Sequence, residues 1–197
     1  MVAIAAAAAP AAVEVVGATA ARGPRMILQA NELAAAVAEV VATGEAGLGF
    51  DGIIIAAFGD PGLAELRRRV GMPVVGIAEA AMLEAARGGR RFGVATTTPA
   101  LVAAIAARAG ELGLADLYTG LRLTAGNPLA LVADPPRLVE ALAEAVREAI
   151  ELDGAETVII GGGPLGQAAS ALALRFATPI IAPIPAAMRR LLQAMAF

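Results

Sequence analysis

The sequence predicts an α/β protein made of two similar αβ halves with parallel sheets. Three observations carry this. Short Val/Ile-rich runs alternate with longer amphipathic ones along the 197 residues, the mark of parallel βα units. The short runs are nearly continuous in apolar side chains, as strands are when helices cover both faces. Two stretches also resemble one another. Phe50–Gly62 runs acid, glycine, three isoleucines, a small-residue turn and a proline-started helix; Asp153–Gly166 runs acid, Gly-Ala-Glu-Thr-Val-Ile-Ile, a glycine turn and another proline-started helix.

Met1–Ala9 reads as a helix, and Val13–Thr19 as the first strand. Asn31 then caps a helix over Glu32–Val41. Strand Gly52–Phe58 is followed by Asp60-Pro61 and a helix over Gly62–Val70, then by strands Pro73–Ile77 and Phe92–Thr96. Thr98-Pro99 opens the helix Ala100–Ala109, which leads to strand Leu117–Leu123. Asp134-Pro135 opens Pro136–Leu152, where Leu138, Leu142, Val146 and Ile150 form one apolar stripe and Glu140, Glu144, Arg147, Glu148 and Glu151 face water. Asp153-Gly154 closes that helix, and strands Thr157–Ile160 and Pro179–Ala182 follow. No Ser-, Pro- or charge-rich linker interrupts the chain, so it divides at a compact joint near Gly88–Arg91.

Composition narrows the chemistry. The chain has no cysteine, histidine or lysine, and its single serine and tyrosine are Ser170 and Tyr118. Thiolate, imidazole and lysine Schiff-base mechanisms are therefore excluded, leaving carboxylates, threonines, arginines and backbone N–H groups. Hydrophobic residues make up 58% but aromatics only 3%, so the core is built from Val, Ile, Leu and Ala. The uncharged runs Phe92–Ala107 and Thr157–Leu174 are broken by proline and by Thr or Gly clusters, so no membrane span is expected. The apolar opening has no basic residue before it, and a cytoplasmic location is expected. A net charge of −3 gives no electrostatic case for nucleic acid, and Arg67-Arg68-Arg69 and Arg90-Arg91 read as solvated edges.

Four turns are candidates for a site at the carboxyl ends of the strands, where open parallel sheets bind ligands. Gly161-Gly162-Gly163-Pro164-Leu165-Gly166 formally contains GxGxxG, but no acidic residue lies near twenty positions onward and the motif comes last, which excludes the dinucleotide reading. Its amides are either an anion seat or a tight packing turn. Thr96, Thr97 and Thr98 stand before Pro99; Thr98 reads as a cap, and Thr96 and Thr97 as substrate-binding candidates. Asp60 is either a general base or the N-cap of the next helix. Glu79, after another strand end, is either a shielded carboxylate of raised pKa or an ordinary first-turn glutamate.

Gly52-Ile-Ile-Ile-Ala-Ala57-Phe-Gly-Asp-Pro-Gly62, Pro73-Val-Val-Gly-Ile-Ala-Glu-Ala80, Arg91–Pro99 and Asp153-Gly-Ala-Glu together resemble the aspartate/glutamate/hydantoin racemase superfamily, closest to its hydantoin racemase branch. The resemblance covers roughly residues 13 to 190 and implies two halves related by a pseudo-twofold, 1–90 and 91–185, with the site in the cleft between them. It implies that 186–197 returns toward the first half through a helix, Ala186–Ala194. The family's opening strand and Asn-Pro-Asn loop have no counterpart here, so exposed edges and apolar surface are expected.

In that family two cysteines face opposite sides of the substrate α-carbon. The aligned positions are Ala57 and Gly162, and neither can accept a proton. Ala57, Phe58, Gly59, Thr96, Thr97, Gly161, Gly162 and Gly163 are then the expected substrate-binding residues, for a small anionic or hydantoin-like molecule. The resemblance further implies an isomerase needing no cofactor or metal, acting as a homo-oligomer. With the thiol pair absent, Asp60 or Glu79 is the candidate replacement. The alternatives to two-base racemisation are one-base tautomerisation or decarboxylation, or a non-catalytic carboxylate-binding protein.

Overall fold

The computed structural model describes residues 1–47 and 49–195. In chain order these form α1 Val2–Ala8, α2 Ala30–Ala46, β1 Ile53–Ile55, α3 Leu63–Arg69, β2 Val74–Gly76, α4 Ile77–Ala85, β3 Phe92–Thr96, a 3-10 turn Pro99–Leu101, α5 Val102–Glu111, β4 Tyr118–Leu123, α6 Pro128–Val132, α7 Pro135–Glu151, β5 Thr157–Ile160, α8 Gly166–Ala173, β6 Ile180–Ile181 and α9 Pro183–Ala194. All strand pairs are parallel. β1 pairs with β2 in the first half, and the second half holds a four-stranded sheet in the order β4-β3-β5-β6.

Local signals fix much of this. β3 and β5 are buried at every position, as their unbroken apolar runs require. At α7 the Asp134 carboxylate accepts a hydrogen bond from the Arg137 amide, Pro135 occupies the first helical turn, and Leu138, Leu142 and Val146 are buried. That stripe closes one core against β5 and α8. A larger core joins β3 and α5 to α4 and α9, and a small one lies between α3 and β1/β2. No described helix is long and apolar enough to cross a membrane.

Several expectations are corrected. Val13–Thr19 is not a strand: it runs without strand pairing along the cavity that also exposes β1, and a strand has no ladder without a neighbour. α2 starts earlier than expected, with Gln29 rather than Asn31 at its cap; Gln29 and Glu32 form a capping box in which the Glu32 carboxylate accepts from the Leu28 and Gln29 amides at 2.7 and 3.0 Å. Thr98 stands at the cap of the 3-10 turn, but its side chain makes no capping bond. Asp60 is not the cap of α3, whose N-cap is Gly62 with no side-chain bond. α9 begins three residues before Ala186, at Pro183.

Candidate functional site

The turn after β1 reverses the chain within a few residues. Gly59, Asp60 and Gly62 all take positive φ, at 120°, 52° and 74°. Asp60 is the one residue other than glycine in that region among those described, a conformation that costs free energy unless its surroundings hold it. What holds it is its carboxylate. Oδ1 accepts from the Ala78 amide at 2.9 Å and Oδ2 from the Glu79 amide at 2.7 Å, so Asp60 caps α4 across a separation of 18 and 19 residues. The Arg108 Nε lies 3.3 Å from Oδ2. Gly76 makes the approach possible, because a Cβ there would fall 2.2 Å from the Asp60 Cγ. Burial raises the Asp60 pKa above its ordinary 3.8, opposed by the two amides and by Arg108, and assisted weakly by Glu79.

Glu79 is held in the same network. Arg67 grips both its oxygens, at 3.2 and 2.6 Å, and Arg108 approaches to 4.0 Å before reaching out to Glu111 at 3.0 Å. Neither Asp60 nor Glu79 lines the cleft. Both candidate bases therefore serve the α3–α4–α5 junction, with their oxygens already committed.

The cleft itself forms where this turn meets the ends of β3 and β5. A Cβ built on Gly163 would lie 3.0 Å from the Ala56 carbonyl oxygen, and one on Gly161 would lie 3.4 Å from the Phe58 ring, so the two glycine positions are seated against the first half. Together they border a cavity of about 1300 Å³ whose wall includes Ala57, Phe58, Thr97, Thr98, Gly161, Gly162 and Gly163. Thr96 and Gly59 stand behind this wall. Thr96 Oγ1 donates to the Gly161 carbonyl at 2.6 Å and lies 3.2 Å from Thr98 Oγ1, while Gly59 packs toward Leu33 of α2.

Not every expected donor is open. The Gly161 amide donates to the Ala95 carbonyl at 2.8 Å and the Gly162 amide to the Ile160 carbonyl at 3.0 Å. Among the described residues the amides of Thr97 and Gly163 carry no hydrogen bond, and Thr97 Oγ1 is buried without a partner. A buried hydroxyl in that state costs free energy until something satisfies it. The wall thus offers one hydroxyl and two amides beside the alkyl and hydrogen side chains of Ala57 and Gly162.

Sequence reasoning missed the rest of the lining. Ile105 of α5 and Ile184 and Met188 of α9 supply apolar walls, and the 3.6-residue apolar stripe of the last helix was the available signal for two of them. Carboxylates also border the cavity on the first half's side. Glu32 is occupied by its own helix cap and Glu39 pairs with Arg22 at 2.7 Å, whereas Glu14 and Asp51 are exposed.

The sequence matches the Asp/Glu/Hydantoin racemase family over residues 1–191. It is 30% identical over 141 residues to the hydantoin racemase of Pseudomonas sp. (strain NS671), an alignment covering 72% of this chain and 57% of that protein. The hydantoin racemase of Rhizobium meliloti is 33% identical over 141 residues, covering 72% and 58%. The chain therefore spans less than two thirds of the length of these relatives. Allantoin racemase from Klebsiella pneumoniae superposes with a TM-score of 0.92 at 29% identity, covering 99% of this chain and 80% of that one.

Proposed function

This chain belongs to the Asp/Glu/hydantoin racemase family, and on that premise we propose that its cleft binds a small hydantoin-type or carboxylate ligand without two-base racemisation. The observation that carries the reading is that the unpartnered Thr97 hydroxyl and the Gly163 amide, which carries no hydrogen bond, both belong to the wall of one cavity. Ring carbonyl or carboxylate oxygens of such a ligand would accept from these donors, and the apolar walls would hold the remainder. The related proteins named hydantoin and allantoin racemase support a ligand of this kind. Removing an α-proton from one face and returning one to the other requires an acid and a base on opposite sides. Ala57 and Gly162 supply neither, and the oxygens of Asp60 and Glu79 are engaged elsewhere. The division into halves 1–90 and 91–185, with 186–197 returning, is part of this proposal. Its support is the separate sheets and the packing of α9 against α4.

The test is titration of each enantiomer of a 5-substituted hydantoin, with NMR of C5 deuteration in D₂O. The expected result is saturable binding with no enzyme-dependent exchange in the native chain, and exchange in an Ala57→Cys, Gly162→Cys double variant. Gly162 is not in the left-handed region, and its new Cβ needs Leu165, 3.1 Å away, to yield only slightly. Exchange by the native chain that Asp60→Asn or Glu79→Gln abolishes overturns the non-catalytic reading, and absence of binding overturns the cleft reading.

A further inference from the structure

Helix α9 is a partition between two hollows. Ile184, Met188 and Leu191 face the cleft cavity, while Ala186, Arg189, Arg190 and Gln193 face a second cavity of about 560 Å³ on the other side of the helix. The opposite wall comes from α4 and the turn after it, through Ala80, Glu84, Arg87 and Arg90. Four arginines and one carboxylate thus line one pocket, in a chain whose net charge is −3.

Their hydrogen bonding leaves most of that charge unspent. Arg189 grips Glu84 at 2.7 and 3.0 Å, which already ties α9 to α4 across 105 residues. Arg90 donates through Nη2 to the Glu84 carbonyl at 3.1 Å, while its Nε is buried with no acceptor. Among the described residues Arg87, Arg90 and Arg190 make no carboxylate pair; Arg25, Arg68, Arg91 and Arg137 make none either, but only these three line one pocket together with Arg189. Like charges gathered on a pocket repel unless an anion lies between them. The floor is apolar and closed, with Ala80, Ile181 and Ala186 all buried.

We propose that this pocket binds a compact polyanion of the diphosphate class, seated between Arg87, Arg90 and Arg190 and clamping α9 onto α4 behind the cleft. Guanidinium forks match phosphate oxygens in geometry as well as charge, and a volume of this size suits a small ligand. Free pyrophosphate and a nucleoside diphosphate share this chemistry; the second would also use the apolar floor. The proposal does not depend on what the cleft binds.

Calorimetric titration of the full chain with inorganic pyrophosphate, at ionic strength held constant with sodium chloride, tests it. The expected result is saturable one-site binding that Arg87→Ala, Arg190→Ala weakens roughly tenfold or more. The charge-matched surface pair Arg68→Ala, Arg137→Ala leaves it unchanged. Thermal melts of the two double variants check that both remain folded. A parallel titration with ADP separates the sources: tighter binding than pyrophosphate assigns the floor to a nucleoside, and equal binding assigns the site to the diphosphate alone. No saturable binding, or an equal loss in both double variants, overturns the proposal.

Discussion

The turn at Asp60 and the wall at Thr97 follow the carboxyl ends of strands in two separate sheets, β1 and β3, yet they treat polarity in opposite ways. Around Asp60 each carboxylate oxygen has a partner: two backbone amides and Arg108 on Asp60, Arg67 on both oxygens of Glu79. At the Thr97 wall no side chain is charged, but a hydroxyl and two amides remain unmet. The charged region is finished as structure, and the uncharged one keeps the unmet donors on which the proposed ligand site rests.

The hardest test of that contrast is Asp60→Ala. It leaves the Ala78 and Glu79 amides without acceptors and Arg108 without its buried partner, while the positive φ of residue 60 persists. Removing one member of a buried charged pair costs about 3–5 kcal/mol. Urea denaturation is expected to show a loss of this order, with Gly76→Ala destabilising the same junction because its methyl would collide with the Asp60 carboxylate. An unfolding free energy within about 0.5 kcal/mol of the native value, the range of ordinary surface changes, would mean that the network is not structural.

Part of this division was legible in the sequence and part was not. Strands Phe92–Thr96 and Thr157–Ile160 are found at the predicted residues because an unbroken apolar run between turn residues is a local signal. The Asp134-Pro135 start is equally local. Val13–Thr19 has the same local pattern but lacks strand pairing, and pairing is a property of the surroundings. In the sequence Asp60 reads as a general base or as the cap of the helix beside it, yet its hydrogen bonds go 18 and 19 residues onward. Thr96 and Thr97 are indistinguishable as letters. Only the Gly161 carbonyl, 65 residues away, decides that Thr96 is satisfied and its neighbour is not.

A smaller effect sharpens the comparison through pH. Burial raises the Asp60 pKa in the folded protein above its ordinary 3.8, so within that interval the folded state binds the proton more tightly than the unfolded chain. The resulting contribution is fully present below the unfolded value and is lost as pH rises through the folded one. Urea midpoints of the native chain, relative to those of Asp60→Asn, are therefore expected to decline from about pH 4 upward. Parallel curves for the two proteins would show that the amides and Arg108 cancel the burial effect.

The smallest change in stability should come from the open side. Thr96→Val removes the bond to the Gly161 carbonyl and is expected to cost about 1 kcal/mol. Thr97→Val removes a hydroxyl that bonds to nothing, replaces it with a methyl of similar size, and should leave the urea midpoint unchanged or slightly raised. Its effect belongs to the ligand: affinity for a hydantoin should fall roughly tenfold, the worth of one buried hydrogen bond. A Thr97→Val chain that loses stability but not affinity would reverse the assignment, making Thr97 part of the scaffold and leaving the cleft's polarity to the Gly163 amide.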